Sequence, residues 1–473
     1  MTPLRPFWLS LVVTLVVGLV TFRVTTSTTS GFLVWSDGLA YFFHARSLVV
    51  DGNTDITNEF EEFDRRYPVG QKKSSVMDSI RLNVSRNVAT GRLVSPWPIG
   101  MGLLLAPFYA IGLAVESILA SAQGRSPDSY GIIPQYFFGF GSLAFGLLGF
   151  WATYLCCCEV SDRLRSSLAA SAAVLGGPAV FYIFVNPSMA HAVSFGITSA
   201  LVLIWWRQWS IGAQPRVMLL LGFLLGLLVT IRLQNAIFGI LLAILVVREI
   251  SRGGWKKSLS LGIAGLVACA IPMIALALHS IAYGPTQSTF ALQPGGILML
   301  GNYPVNLKSP YFFDALFSCR HGAFHWAPVF ALGTIGLILA LRREARFIAL
   351  FSVFVLQVYL IGGIGIADAN GRPATFDLSN WNEHWKGGAS FGMRYLTECT
   401  PIFALGLASL LNVFRMSIAP MISAIGLSVL VMWNGLLVLA YGLNTVSRSY
   451  CVTYGEMWGG VGKALGKIAG GLN

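Results

Sequence analysis

The sequence predicts an all-α integral membrane protein of about 11–12 transmembrane helices with a long first extracytoplasmic loop. Three observations predict it. Of 473 residues, 55% are hydrophobic and only 11% charged, whereas a soluble domain carries about 25% charged residues. The mean hydropathy is +0.68, and the apolar residues fall in runs near the ~20 that a helix needs to cross a bilayer. The runs lack the alternation of a membrane β-barrel. Lipid offers the backbone no partners, so each run must be helical.

The runs lie near 7–23, 131–157, 167–186, 190–206, 217–231, 235–249, 259–283, 324–341, 346–365, 399–415 and 418–443. A further run, 97–120, is broken by Pro98 and Pro107. The stretch 217–249 is too long for one crossing, and Arg232, Gln234 and Asn235 divide it into a tight hairpin. Met1 to Arg23 is like a signal peptide, but Thr25-Thr26-Ser27-Thr28 stands where a small-residue cleavage site would be. It reads as an uncleaved first span.

Polar segments at 24–96, 284–322 and 366–398 interrupt the pattern. After the transmembrane domain, 1–445, the Gly-rich tail 446–473 carries Lys463 and Lys467 and reads as a short interfacial helix. Basic residues cluster at Arg163/Arg165, Arg207/Arg216, Arg248/Arg252/Lys256/Lys257, Arg342/Arg343/Arg346 and Arg415. If spans alternate from 131 onward, all these clusters share one side, expected to be cytoplasmic. Arg5 puts the N-terminus on that side too. Both assignments hold only if 97–120 does not fully cross, so it is expected to dip into the outer half of the membrane or dock there. The polar segments and the tail then face outward.

The net charge of +12 does not point to nucleic acid, because many of the basic residues sit in short loops and none forms a patch within a nucleic-acid motif. Lys72 and Lys73 read as a solvated face. Among seven cysteines, Cys156, Cys157 and Cys158 end one run; small apolar packing is set against palmitoylation. There is no CxxC pair and no metal-ligand spacing. No cofactor is indicated; a divalent cation stays open against the favoured expectation of none. Asn83-Val84-Ser85 is a glycosylation sequon, and Gly295-Gly296 and Gly387-Gly388 lack the context of a nucleotide loop.

Chemistry concentrates in the first outer segment, which opens Trp35-Ser36-Asp37-Gly38-Leu39-Ala40-Tyr41 and continues Ala45-Arg46-Ser47-Leu48. Glu61 and Glu62 read as a solvated acidic loop. Asp37 does not: it lies about a dozen residues past the first span, at the mouth of the bundle, flanked by Trp35, Leu39, Tyr41 and Phe42. A poorly solvated carboxylate makes a better base.

Asp37 with Tyr41, Ala45 and Leu48 resembles the first outer loop of the GT-C glycosyltransferases, polytopic enzymes that use lipid-phosphate sugar donors. They include protein O-mannosyltransferases and the lipid A aminoarabinose transferase. Three further stretches add to the resemblance. They are Ser95-Pro96-Trp97-Pro98-Ile99-Gly100 through Pro107-Phe108, Ser318-Cys319-Arg320-His321-Gly322 through Trp326-Ala327-Pro328, and Trp385-Lys386-Gly387-Gly388 through Ser390-Phe391-Gly392-Met393-Arg394-Tyr395. The last two are like signatures of an uncharacterised bacterial branch.

The resemblance implies that Asp37 is the general base and that a sugar moves, with inversion, from a polyprenyl-phosphate donor to a lipid, glycan or protein acceptor. The site would face outward from an inner or plasma membrane. Many members carry an acid where Gly38 stands, so the second acid is missing, or its role falls to Asp51 or Asp55. The departing phosphate needs cations, and the planar fork of arginine suits it: Arg232, Arg320, Arg394 and Arg46 are the candidates. Arg232 interrupts an apolar hairpin, where an ionisable group is a functional suspect; snorkelling to the interface is the plainer alternative. Tyr41, His321, Trp381 and Trp385 are expected to line the substrate site, with His384 beside the tryptophans. For most tryptophans an interfacial belt is the plainer reading. His321 and His325, four apart with Asp314 nearby, could suggest a metal; a structural or phosphate-contacting role is favoured. His44 and His191 read as structural. The rival readings are a transporter or flippase of lipid-linked glycans and a non-enzymatic assembly protein.

Overall fold

A computed structural model describes residues 33–69, 80–81, 84–88, 90–252, 254–283, 290–293, 297–300, 303–308, 311–364, 390–413 and 419–470. The first span, Arg5, Lys72, Lys73, Asn83, Gly295, Gly296, Trp381, His384, Trp385, Gly387, Gly388 and Arg415 lie outside the described residues.

The first polar segment folds as α1 (Asp37–Arg46), a π-helical turn, α2 (Thr57–Arg66), and a two-stranded ribbon of β1 (Ser85–Arg86) and β2 (Leu93–Val94). A hairpin of α3 (Gly100–Ala122) and α4 (Ile132–Cys158) follows. Next come α5 (Arg163–Leu175), α6 (His191–Ile211), α7 (Pro215–Ile231), α8 (Gly239–Ser251) and α9 (Trp255–Tyr283). An antiparallel meander, β3 (Phe290–Gln293), β4 (Ile297–Leu300) and β5 (Tyr303–Asn306), precedes α10 (Phe312–Phe317), α11 (Ala323–Trp326) and α12 (Pro328–Ala340). The chain ends with α13 (Ala345–Gly363), α14 (Thr400–Val413), α15 (Ala419–Gly442) and α16 (Tyr454–Ala469).

Local chemistry sets these limits. Asp162 caps α5 by accepting from the backbone N–H groups of Leu164 and Arg165. Pro215 and Pro328 open α7 and α12, where a missing N–H costs nothing. Thr453 and Glu456 form a reciprocal capping box on α16. Among the described residues seven helices are long and apolar enough to cross a membrane, and α7 and α12 are shorter apolar helices.

The bundle has two chemically distinct ends. At one, the basic clusters meet: Arg207 pairs with Glu159 at 2.8 Å, Arg346 donates to the Trp206 carbonyl at 3.3 Å, and Arg248 lies 4.1 Å from the Trp209 ring centre. Asn412 donates to the Val160 carbonyl there at 2.8 Å. At the other end lie the first polar segment and the meander. Thr54 meets His279 at 2.8 Å, Asn87 donates to the Tyr283 carbonyl at 3.2 Å, and Val305 bridges Ile364.

Helix α3 is one continuous helix through Pro107, yet both of its ends lie on the second side. Gly100 abuts Thr230 near the end of α7. Its far end holds Arg125 and Asp128 through Glu116, and Asp128 in turn pairs with Arg66 at 3.1 Å. It runs antiparallel to the first half of α4, with Gly112 against Pro134 and Phe137, and Gly141 against Leu105 and Phe108. So both ends of this helix, which is long and apolar enough to cross a membrane, sit at the end of the bundle that holds the meander.

Small residues let the helices approach: a side chain at Gly336 would strike the Gly406 carbonyl where α12 crosses α14. Cys156 and Cys157 are fully buried, which favours packing over lipidation for those two. The spacing of the cysteines gave no hint of a pair, but Cys319 and Cys451 form a disulfide that ties the tail to the second polar segment. Val452 donates its N–H to the Cys319 carbonyl at 3.2 Å. Helix α16 buries Met457, Val461 and Ala464 and leaves Trp458 62% exposed.

Candidate active site

Asp37 opens α1, where the helix N-terminus favours a carboxylate. The residue before it, Ser36, has φ 57° and ψ −140°, a conformation non-glycine residues avoid and which the surrounding packing must enforce. Gly38 explains the missing second acid. A Cβ there would lie 2.5 Å from Ser188 Cβ and 2.8 Å from its carbonyl oxygen, so position 38 has no room for a carboxylate. Ser188 is itself held by Asn186 at 2.7 Å.

Two arginines come to Asp37 from distant segments. Arg232 stands where α7 ends, its backbone extended at φ −153°. Arg394 starts a 3₁₀ segment, Arg394–Cys399, just after Gly392 at φ 57°. Arg394 Nη1 donates to Asp37 Oδ2 at 3.3 Å. The Arg232 and Arg394 guanidinium carbons lie 5.1 and 5.2 Å from the centre of the same Tyr395 ring. Arg232 Nη1 donates to Glu398 Oε1 at 3.2 Å and to His191 Nδ1 at 2.5 Å.

Asp37, His191, Arg232, Arg394 and Tyr395 line a cleft of about 740 Å³, counted out to solvent, together with Tyr41, Trp97, Gln234, Val305 and Ile364. Burial pushes the Tyr41 hydroxyl above its ordinary range, against the pull of Arg232. A neutral phenol beside two arginines and a carboxylate can donate one hydrogen bond without adding charge. The cleft thus combines a carboxylate that can accept a proton with two forked cations that can take an anion.

Asp37, Tyr41, Arg232 and Arg394 therefore meet, whereas the other candidates stand elsewhere. Arg46, expected at a donor phosphate, pairs with Asp51 at 2.6 Å and Glu59 at 2.8 Å, because α1 points its C-terminal end into the acidic outer segment. Asp51 is occupied there, and Asp55 pairs with Arg92 at 3.3 Å and caps Thr57; neither lines the cleft. Arg320 and His321 also stand off its wall, next to the disulfide, with the His321 ring 5.5 Å from Trp326. His325 Nε2 meets the Val452 carbonyl at 2.8 Å. Among the described residues no three His, Cys, Asp or Glu side chains gather as metal ligands. The two later motifs do touch: Trp326 meets Phe391 at 5.7 Å, behind Arg394.

Sequence reasoning missed Glu398 and undervalued His191. Glu398 carried a signal, being an acid at the very entry to the apolar run 399–415. His191 carried none.

Fold and site define a polytopic α-helical membrane protein with an acid–arginine cleft at one end of its bundle. No family model matches the sequence, and no curated protein matches it. Among solved structures it is similar to ArnT from Cupriavidus metallidurans in the apo state, at 14% identity and a TM-score of 0.48 over 97% of this chain and 75% of that one. For ArnT bound to undecaprenyl phosphate the figures are 13%, 0.49, 99% and 76%. It is also similar to the archaeal oligosaccharyltransferase AglB from Archaeoglobus fulgidus, in complex with an inhibitory peptide and a dolichol-phosphate, at 11% identity and 0.45 over 95% of this chain and 57% of that one. ArnT and AglB are GT-C glycosyltransferases. At these values the chain's own residues carry the functional reading.

Proposed function

We propose that this chain is a GT-C type membrane glycosyltransferase, moving a sugar from a polyprenyl-phosphate donor to an acceptor hydroxyl on the extracytoplasmic face. The observation that carries the reading is the contact of Asp37 with Arg394, at 3.3 Å, beside Arg232 in one cleft. Asp37 takes the proton of the acceptor hydroxyl, whose oxygen attacks the anomeric carbon from the face opposite the phosphate. The carbon–oxygen bond to phosphate breaks, and its electron pair leaves on the polyprenyl phosphate. Arg394 and Arg232 stabilise that departing charge. The acceptor is a lipid, glycan or protein carrying a free hydroxyl.

The outward orientation has its own support. The Cys319–Cys451 disulfide lies on the cleft side, and disulfides persist in oxidising compartments. The basic loops gather at the opposite end, as the charge rule expects of the cytoplasmic side. The N-terminus is then cytoplasmic, the protein a multi-pass resident of the inner or plasma membrane, and residues 1–445 its catalytic domain.

Asp37→Asn tests the reading. The variant should bind polyprenyl phosphate as the parent does while sugar transfer falls by about a hundredfold or more. Unchanged transfer would remove Asp37 as base. Movement of lipid-linked sugar across vesicles without any acceptor would favour a transporter instead.

A further inference from the structure

The two arginines of the cleft are held by different carboxylates. Arg394 pairs with Asp37, whose side chain is 18% exposed. Arg232 pairs with Glu398, whose side chain is 0% exposed. Glu398 is not part of the cleft wall; it lies behind it, four residues after Arg394.

His191 completes the arrangement. Its Nδ1 is 2.5 Å from Arg232 Nη1 and 3.6 Å from Glu398 Oε1. A guanidinium can only donate, so the imidazole meets it with a lone pair and is neutral. The Tyr182 ring, 4.4 Å away, closes the far side of His191. Two other segments, the start of α6 and the 3₁₀ turn before α14, thus converge on one nitrogen of Arg232 at the end of α7.

A buried ion pair adds little to stability compared with a well-packed apolar replacement. A buried charged pair set directly behind a cleft is instead what holds a functional side chain in place. Arg232 keeps 12% of its side chain exposed and lines the cleft, while its Nη1 is tethered to Glu398 and His191.

We infer that Glu398 is a positioning residue: with His191 it fixes Arg232 on the cleft wall so that the free edge of the guanidinium meets the donor phosphate. The inference rests on the sugar-transfer reading above. An arginine already held in place loses less side-chain freedom when it binds an anion. Asp37 cannot serve Arg394 in the same permanent way, because its carboxylate must be free to take a proton. The cleft therefore has one arginine with a fixed anchor and one whose partner changes role during the reaction.

The test uses the full-length protein in nanodiscs and a long-chain polyprenyl phosphate as the probe, with binding and thermal stability measured together. Glu398→Ala should bind the probe about tenfold or more weakly. Glu398→Gln, which keeps an oxygen for Arg232, should stay within about threefold of the parent. Folded Glu398→Ala that binds like the parent would overturn the positioning role, as would Glu398→Gln binding as poorly as Glu398→Ala. If Glu398→Ala does not fold, Glu398→Asp carries the test. It keeps the charge but draws the oxygen back from Arg232, so weaker binding supports the role and unchanged binding removes it. Arg232→Ala separates the two levels of failure. If neither it nor the parent binds the probe, the sugar-transfer reading itself fails. If Arg232→Ala weakens binding and no Glu398 variant does, only the positioning role fails.

Discussion

Asp37 and Arg394 are 357 positions apart in the sequence and 3.3 Å apart in the fold. The contact joins the first described helix to the turn before α14, and it brings the one carboxylate that the described residues place on the cleft wall to a cation that also leans on Tyr395. Arg394→Lys should separate the two uses of this side chain. A lysine keeps the charge but loses the fork, so the KM for the lipid donor is expected to rise about tenfold or more, the equivalent of ~1.4 kcal/mol. Steady-state kinetics against donor concentration checks this; an unchanged KM would mean that Arg394 serves Asp37 alone.

Gly38 is the position where family resemblance would tempt an engineer to restore an acid. The packing against Ser188 forbids it. Gly38→Asp, and even Gly38→Ala, is expected to cost about 1–3 kcal/mol by overpacking and to displace Asp37. Thermal unfolding in detergent and transfer activity should fall together, and a gain of activity in Gly38→Asp would refute this account of the missing acid.

The Cys319–Cys451 bond closes a loop of sequence separation 132. Cys319→Ser and Cys451→Ser are each expected to destabilise the protein by about 2–5 kcal/mol and to make the tail accessible to protease. Thiol labelling reports the side: after reduction, an impermeant maleimide applied outside should reach residues 319 and 451 and should not reach Cys158. The opposite pattern would invert the topology.

His44 gives a pH dependence of known sign. It is fully buried, 5.3 Å from the His279 ring, and burial, reinforced by His279, lowers it to about 3. Its unfolded value is near 6.5. The folded state therefore resists protonation that the unfolded state accepts. Stability from His44 is complete above about pH 6.5 and is lost as pH falls toward 3. By pH 5 the loss should reach about 2 kcal/mol. Melting temperatures measured between pH 7.5 and 5 should drop for the parent, and the slope should flatten in His44→Phe.

The apolar runs between 131 and 443 read as spans because hydropathy needs no partner to be legible. An apolar run in lipid must satisfy its own backbone, and α4, α9, α13 and α15 follow. The charged loops likewise reveal which helix ends belong together. The run 97–120 was harder. Its composition suits a crossing, and only counting charges on both sides of it suggested otherwise. Asp37, Arg232 and Arg394 stood out individually, since each is a charge where an apolar environment makes charge costly.

What no reading of the line of residues could supply is which charges meet. Asp37, His191, Arg232 and Glu398 belong to four segments, and their convergence depends on how α1, α6, α7 and the 3₁₀ turn pack. Arg46 and Arg320 have the same chemistry as Arg232, yet the fold sends Arg46 to Glu59 and keeps Arg320 beside the disulfide, off the cleft wall. The membrane character of this chain is a one-dimensional property, written in side-chain solvation. Its cleft is a three-dimensional one: electrostatic interaction falls off with distance, and distances between segments exist only once the helices have packed.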